Sequence, residues 1–101
     1  MHTKKRLELI IEKPALKRAC RVLEEAGVKG YTTFSAMGGY GANTRWQRGT
    51  DLSASRDMVM IISVLDAKDM ETAIGKLENL VGSHIGVLSL TDVQVLRPEK
   101  F

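Results

Sequence analysis

The chain has 101 residues, of which 44% are hydrophobic and 27% are charged, and its formal net charge is +3. This length and composition predict one folded domain over residues 1–101 and exclude wholesale disorder, while the charge permits an anionic ligand or a nucleic acid without requiring either. The apolar runs are well short of the ~20 residues that a membrane-spanning helix needs, no secretory leader is recognisable, and Cys20 has no second cysteine to pair with. We therefore expect a cytoplasmic protein.

The first third of the chain predicts a strand, a helix and a second strand. Apolar and polar residues alternate over Lys5–Glu12, which is the period of a half-buried strand. Pro14 suits a first helical position, and Gly27 supplies a C-terminal stop, so a helix is predicted over Pro14–Ala26. Aromatic and β-branched residues over Gly30–Met37 predict the second strand.

The second half predicts a strand, a helix and a last strand. Asp57–Leu65 is almost wholly apolar, which predicts a central strand covered on both faces. Asp66 is a suitable N-cap for a second helix. The buried stripe of that helix is predicted to contain Met70, Ala73, Ile74, Leu77, Leu80 and Val81. Val87–Leu96 then predicts the last strand.

The element order βαββαβ predicts an α+β, ferredoxin-like fold, in which two helices cover one face of a four-stranded antiparallel sheet. Two helices cannot cover the other face, where apolar side chains of the third and fourth strands would remain exposed. Because an uncovered apolar sheet face usually marks an interface, we expect a closed homo-oligomer whose sheets face inward.

The segment Gly38–Arg56 joins the second and third strands and is the main functional signal. It spans 19 residues, where about two to five suffice to join antiparallel strands. Converging glycine N–H groups and arginine guanidinium groups bind phosphate and carboxylate oxygens, and a bulky ring on a loop often marks a contact surface. A solvated hairpin tip is the structural alternative. The anion-binding and effector candidates are Tyr40, Arg45, Trp46 and Arg48.

Several short motifs resemble those of the trimeric PII-like signalling proteins over nearly the whole chain. Glu25–Thr32 is similar to the family's turn from helix to strand, Gly38–Gly41 to the start of its long effector loop, and Arg48–Gly49 to part of that loop. Asp92–Arg97 is similar to its last strand. The resemblance implies a homotrimer with an adenine nucleotide in the cleft between neighbouring subunits.

Carried over position by position, the resemblance implies a set of nucleotide contacts. Nitrogen-regulatory members have Gly-Asp-Gly-Lys before the last strand, whereas this chain has Gly-Ser-His-Ile-Gly, without the aspartate and the lysine. ADP or AMP is therefore expected in preference to ATP. The loop also lacks the tyrosine that those members have modified, so uridylylation is not expected. The implied contacts are Thr32, Gly38, Gly39, Gly41, Gly82, Ser83, His84, Gly86 and Arg97.

The resemblance implies a non-enzymatic regulator of inorganic-carbon or nitrogen metabolism. It is closer to the branch linked to bicarbonate transport and carboxysomes, which suggests bicarbonate as a second ligand and a transporter or carboxysome-related protein as the target of the loop. No catalytic residue, catalytic cofactor or metal is expected, because His2, Cys20 and His84 are scattered and the serines have no assignable base.

Two alternatives come from other functional classes. The same element order builds RNA-recognition domains, but Leu7–Ile11 and Met58–Leu65 contain none of the aromatic residues on which bases stack, so no nucleic acid is expected. An amino-acid-sensing domain of this shape would leave the arginine-containing loop unexplained. Insertion into a membrane is not expected either.

Overall fold

The computed structural model describes residues 1–41, 44–47, 57–84 and 86–101. Its helices and strands, in chain order, are β1 His2–Glu12, α1 Leu16–Glu25, β2 Thr32–Ser35, β3 Gly38–Gly41, β4 Thr44–Gln47, β5 Met58–Leu65, α2 Ala67–Ser83 and β6 Gly86–Val95. Short 3-10 turns lie at Lys13–Ala15, before α1, and at Pro98–Lys100, after β6.

One four-stranded antiparallel sheet carries both helices. Its strand order is β2-β5-β1-β6, and β3 and β4 form a separate two-stranded sheet. The predicted α+β, ferredoxin-like arrangement is therefore confirmed. β2 is shorter than predicted because the chain becomes extended only at Thr32, and the α-helix begins later than predicted, after a 3-10 turn containing Pro14.

The core lies between the two helices and one face of this sheet. β1 contributes Leu7, Leu9 and Ile11, none of which is exposed to solvent. Burying such a side chain stabilises the fold by about 1.5–3 kcal/mol. The other buried apolar residues are Ala15, Ala19, Leu23, Val59, Ile61, Leu65, Met70, Ala73, Leu77 and Leu80. No helix in the described ranges is both long and apolar enough to cross a membrane.

β5 lies between β2 and β1, as expected for a central strand, but the prediction that both its faces are covered is wrong within one chain. Val59, Ile61 and Leu65 are buried under the helices, whereas the residues that alternate with them are only half-buried. The reason is geometric, since both helices pack on the same face. We call the other side of the four-stranded sheet the open face.

The open face carries an apolar row across all four strands. The strand register places Phe34 opposite Met60, Met60 opposite Ile10, and Ile10 opposite Val87. Phe34 is 47% exposed and Val87 66% exposed. Such a row of neighbouring apolar side chains is typical of an interface rather than of a solvated surface.

Helix α1 ends as the sequence predicts. Gly27 has φ +90°, a value that side-chain-bearing residues rarely adopt, and the N–H of Val28 donates to the carbonyl of Leu23 at 3.2 Å. This is the Schellman arrangement that stops a helix at glycine. Asp66 occupies the N-cap position of α2, but its side chain makes no capping hydrogen bond and instead accepts one from Lys4 on β1.

Candidate functional site

The antiparallel sheet brings the long loop and the segment before β6 to the same end. β1 and β2 finish there at Glu12 and Ser35, and β5 and β6 begin there at Met58 and Gly86. We call this the loop end of the sheet. Most of the implied nucleotide contacts lie here.

The residues Gly82, Ser83 and His84 close α2 at the loop end, directly before β6. The hairpin that contains Gly38, Gly39 and Gly41 follows β2 after two residues. The structure therefore groups two separate stretches of sequence, 38–41 and 82–84 with Gly86, at one end of the sheet.

Arg97 and Thr32 lie elsewhere. Arg97 follows the last residue of β6, and the ten residues of that strand span about 30 Å. Thr32 pairs with Ile62, toward the middle of the sheet, on the edge strand β2. Within one chain, Arg97 is thus at the opposite end of the sheet from the candidates at the loop end, and a site that contains both requires a second chain.

His84 is held by β1. Its Nδ1 lies 2.8 Å from Oε1 of Glu12, and the two side chains are only 22% and 15% exposed. The hydrogen-bond partner of the His84 ring thus belongs to β1, the strand that finishes beside it. A contact between His84 and phosphate stays a prediction. Glu12 is not predicted from the sequence, since 72 residues separate it from His84 and no motif links them.

The glycines at the loop end differ in how closely other atoms pack against them. A Cβ at Gly86 would lie 3.0 Å from the carbonyl oxygen of Ile10 and 3.1 Å from Cγ1 of Ile11, so close approach to β1 requires glycine there. Gly41 and Gly82 have open space around them and no positive φ. Neither packing nor backbone conformation accounts for glycine at these two positions, which leaves room for a ligand to approach the backbone.

Part of the predicted long loop has regular structure. β3 and β4 pair in register, with Gly38 opposite Gln47 and Tyr40 opposite Arg45. The glycines of this segment disfavour strands and so predict a loop, yet Thr44, Arg45 and Trp46 pair with the glycine-containing strand. Tyr40 is 69% exposed and Arg45 is exposed. Arg48 lies outside the described residues, together with the rest of 48–56.

Apart from the loop end, the chain has a groove on the helix side of the four-stranded sheet, between α1 and β2. Its volume is about 500 Å³, and it is open to solvent. The Tyr31 hydroxyl at its margin donates a hydrogen bond to the Glu24 carboxylate, and this bond, with a smaller effect of Cys20, raises the pKa of the phenol. We call this concavity the α1–β2 groove. It is lined by Leu16, Lys17, Cys20, Arg21, Tyr31 and Thr33, with Glu24 beside Tyr31.

Comparison with known proteins assigns the chain to a family. A family model described as "Nitrogen regulatory protein P-II" matches residues 4–100. The chain belongs to the P-II family. Proteins of this family are signalling regulators rather than enzymes.

Solved structures of other P-II-like proteins superpose on this P-II chain over almost its whole length. CPII of Thiomonas intermedia K12, described as a nitrogen regulatory PII-like protein bound to ADP, AMP and bicarbonate, is 29% identical, with a TM-score of 0.88 over 99% of this chain and 94% of that one. A putative PII-like signalling protein of Thermus thermophilus, 22% identical with a TM-score of 0.71 over 98% and 95% of the two chains, shows the fold alone.

A curated relative is also similar. A UPF0166 protein of Aquifex aeolicus (strain VF5) is 26% identical over 84 residues, which cover 83% of this chain and 78% of that protein.

Two further observations bear on the alternatives for this P-II protein. On the open face, β1 and β5 present Ile10, Met60 and Ile62 rather than the aromatic rings on which RNA bases stack. Within the described ranges, no three histidine, cysteine, aspartate or glutamate side chains lie close enough together to hold a metal ion.

Proposed function

We propose that this P-II protein is a non-enzymatic signal transducer whose subunit is one domain, residues 1–101. It binds ADP or AMP in preference to ATP, with bicarbonate as a second ligand, between the subunits of a homotrimer. The long loop, residues 38–56, reports the ligand to a target protein. The proposed setting is cytoplasmic inorganic-carbon or nitrogen metabolism, and the proposed target is a transporter or carboxysome-related protein.

One observation of geometry carries the proposal. Arg97 lies about 30 Å from the loop end of its own sheet. A neighbouring subunit is therefore needed if Arg97 is to reach a phosphate held at the loop end. The apolar row on the open face supports self-association, because water would otherwise cover Phe34, Met60, Ile10 and Val87.

The choice of nucleotide rests on this chain's own residues and on its relatives. The segment 82–86 supplies Ser83 and His84 but neither a lysine nor an arginine, so it offers little fixed positive charge to a third phosphate. The His84 ring is already bound to the Glu12 carboxylate, and the negative charge of that carboxylate disfavours a further phosphate nearby. One relative, CPII of Thiomonas intermedia K12, is 29% identical to this chain and has been solved with ADP, AMP and bicarbonate.

The coupling between ligand binding and the conformation of the long loop follows from thermodynamic linkage. A ligand shifts a loop only as far as it binds one loop conformation more tightly than another. The amides of Gly38, Gly39 and Gly41, together with Arg45, provide the groups that an anion would gather. Tyr40, Trp46 and Arg48 are the proposed contacts with the target.

Isothermal titration calorimetry tests the proposal with ADP, AMP, ATP and cyclic AMP, each with and without bicarbonate. We expect ADP or AMP to bind more tightly than ATP, and bicarbonate to increase the affinity. Binding that favours ATP, or no binding of any adenine nucleotide, would contradict the proposal.

The substitution Arg97→Ala tests the intersubunit site. Loss of one charge-assisted phosphate contact, about 1.5–3 kcal/mol, is expected to weaken ADP binding about tenfold or more without unfolding the chain. Lys100→Ala is the matched control, because it removes one exposed positive charge three residues further on. Unchanged affinity in the Arg97 variant, or an equal loss in the control, would remove Arg97 from the site.

A further inference from the structure

Four exposed basic side chains follow one another along the 3-10 turn Lys13–Ala15 and the first half of helix α1. Lys13, Lys17, Arg18 and Arg21 all reach solvent, and we call them the α1 basic surface. None of the ion pairs formed within the described part of the chain involves any of them. By contrast, the acids at the end of the same helix are engaged: Glu25 with Lys76 at 3.5 Å and Glu24 with Tyr31.

This arrangement of charge does not serve the stability of the helix. The N-terminal end of a helix favours acidic side chains and the C-terminal end favours basic ones. Helix α1 has no acid in its first turn and no base in its last turn. Stability of the isolated chain therefore gives no reason to place four cations here, which points to a role toward another molecule.

Next to these cations lies an apolar depression. Lys17 and Arg21 are one helical turn apart and border the α1–β2 groove, where Leu16 and Cys20 provide half-buried apolar surface. A ligand that fits both features carries an apolar side chain between negative charges.

We propose that the α1 basic surface and the α1–β2 groove together form a docking site for an acidic segment of a partner protein. One aliphatic side chain of the segment enters the groove against Leu16 and Cys20. Flanking carboxylates pair with Lys17 and Arg21. The site is on the helix side of the sheet, opposite the open face, so its use does not depend on the proposed function.

The chemistry favours a peptide over a nucleic acid or a membrane. The basic surface extends only about 14 Å, from Lys13 in the 3-10 turn to Arg21 in α1. Glu24 and Glu25 follow directly, so a continuous polyanion that tracks the helix would meet two carboxylates. The one aromatic ring lining the groove, that of Tyr31, has its hydroxyl bound to Glu24.

The test uses the full chain and a fluorescein-labelled glutamate-rich peptide with one central leucine. We expect saturable binding by fluorescence anisotropy, weakening as salt is raised. The double variant Lys17→Glu, Arg21→Glu is expected to bind at least about tenfold more weakly, and the same peptide with serine in place of leucine is expected to bind more weakly to the natural chain. Amide NMR signals of Leu16, Cys20 and Thr33 should shift with the peptide.

The matched control is the double variant Lys68→Glu, Lys100→Glu, which changes net charge equally at exposed positions outside this site. Circular dichroism verifies that both double variants fold. The proposal is overturned if the control loses as much affinity, if the serine peptide binds as well as the leucine peptide, or if the peptide does not bind. The proposal is also overturned if single-stranded DNA or phosphatidylserine vesicles bind the natural chain more tightly than the peptide does and lose that binding in the Lys17→Glu, Arg21→Glu variant.

Discussion

Asp66 links the start of α2 to β1 through charge. Its carboxylate accepts a hydrogen bond from Lys4, which is the main cause that holds the pKa of this carboxyl below its usual range. The unfolded chain therefore binds a proton at higher pH than the folded chain does. The resulting stability is fully present above the ordinary aspartate pKa of about 3.9 and is lost as the pH falls through the lower folded value.

Lys4→Met removes this partner. We expect the free energy of unfolding of the natural chain to fall as the pH drops from about 5 toward 2, and we expect that fall to be smaller in the variant. Urea unfolding across this range measures both. Lys5→Met is the matched control, because it removes one lysine of the same strand whose pair with Asp92 is more exposed to solvent and therefore weaker. An unchanged slope in Lys4→Met would show that Lys4 does not set the proton affinity of Asp66.

Gly86 and Gly82 make a second comparison at the scale of single residues. In Gly86→Ala the new Cβ would press on Ile10 and Ile11, and such overpacking costs about 1–3 kcal/mol. In Gly82→Ala the new methyl group meets open space within α2, where alanine is favoured over glycine by about 0.5–1 kcal/mol. Denaturant midpoints at equal protein concentration should move in opposite directions. Equal midpoints would mean that the start of β6 shifts away from β1 at little cost.

Among the described residues of the long loop, β3 and β4 form a hairpin of paired strands. A two-stranded hairpin alone is marginally stable in water, so a ligand at Gly38–Gly41 has a large relative effect on it. We expect saturating ADP with bicarbonate to change the fluorescence of Trp46 and to slow trypsin cleavage after Arg45 and Arg48.

The Arg97→Ala chain is the control for that experiment, because its weaker nucleotide binding should shift both effects to ADP concentrations about tenfold or more higher. Flat fluorescence and unchanged cleavage, under conditions where calorimetry detects bound ligand, would contradict signalling through the loop.

The elements show what a sequence can predict here. Strand β1 and the buried stripe of α2 follow from apolar periodicity, β5 follows from an almost wholly apolar run, and the end of α1 follows from Gly27 alone. The pairing of β3 with β4 does not follow from the sequence, because three of the four β3 residues are glycine, which disfavours strands. Pairing with β4 overrides that preference. The contacts of His84 with Glu12 and of Lys4 with Asp66 join residues 72 and 62 positions apart, and no local pattern encodes them.

At the scale of the whole molecule, the open face should hold subunits together. Val87→Asp places a carboxylate in the apolar row, where desolvating it in an interface is costly. We expect light scattering to give about three times 11.2 kDa for the natural chain and a lower mass for the variant. Asn79→Asp, which adds the same charge on the exposed side of α2, should keep the natural mass. A natural chain of about 11 kDa would exclude the trimer.

The position of β1 in the sheet also has a consequence for synthesis. β1 is the first strand of the chain, yet it hydrogen-bonds β5 on one side and β6 on the other, so its partners lie about 50 and more residues downstream. While the ribosome is still translating the segment before Gly86, β1 has at most one of its two neighbours. One edge of β1 therefore stays unpaired until most of β6 has been translated. The nascent chain is then more exposed to aggregation and to chaperone binding than at any later stage.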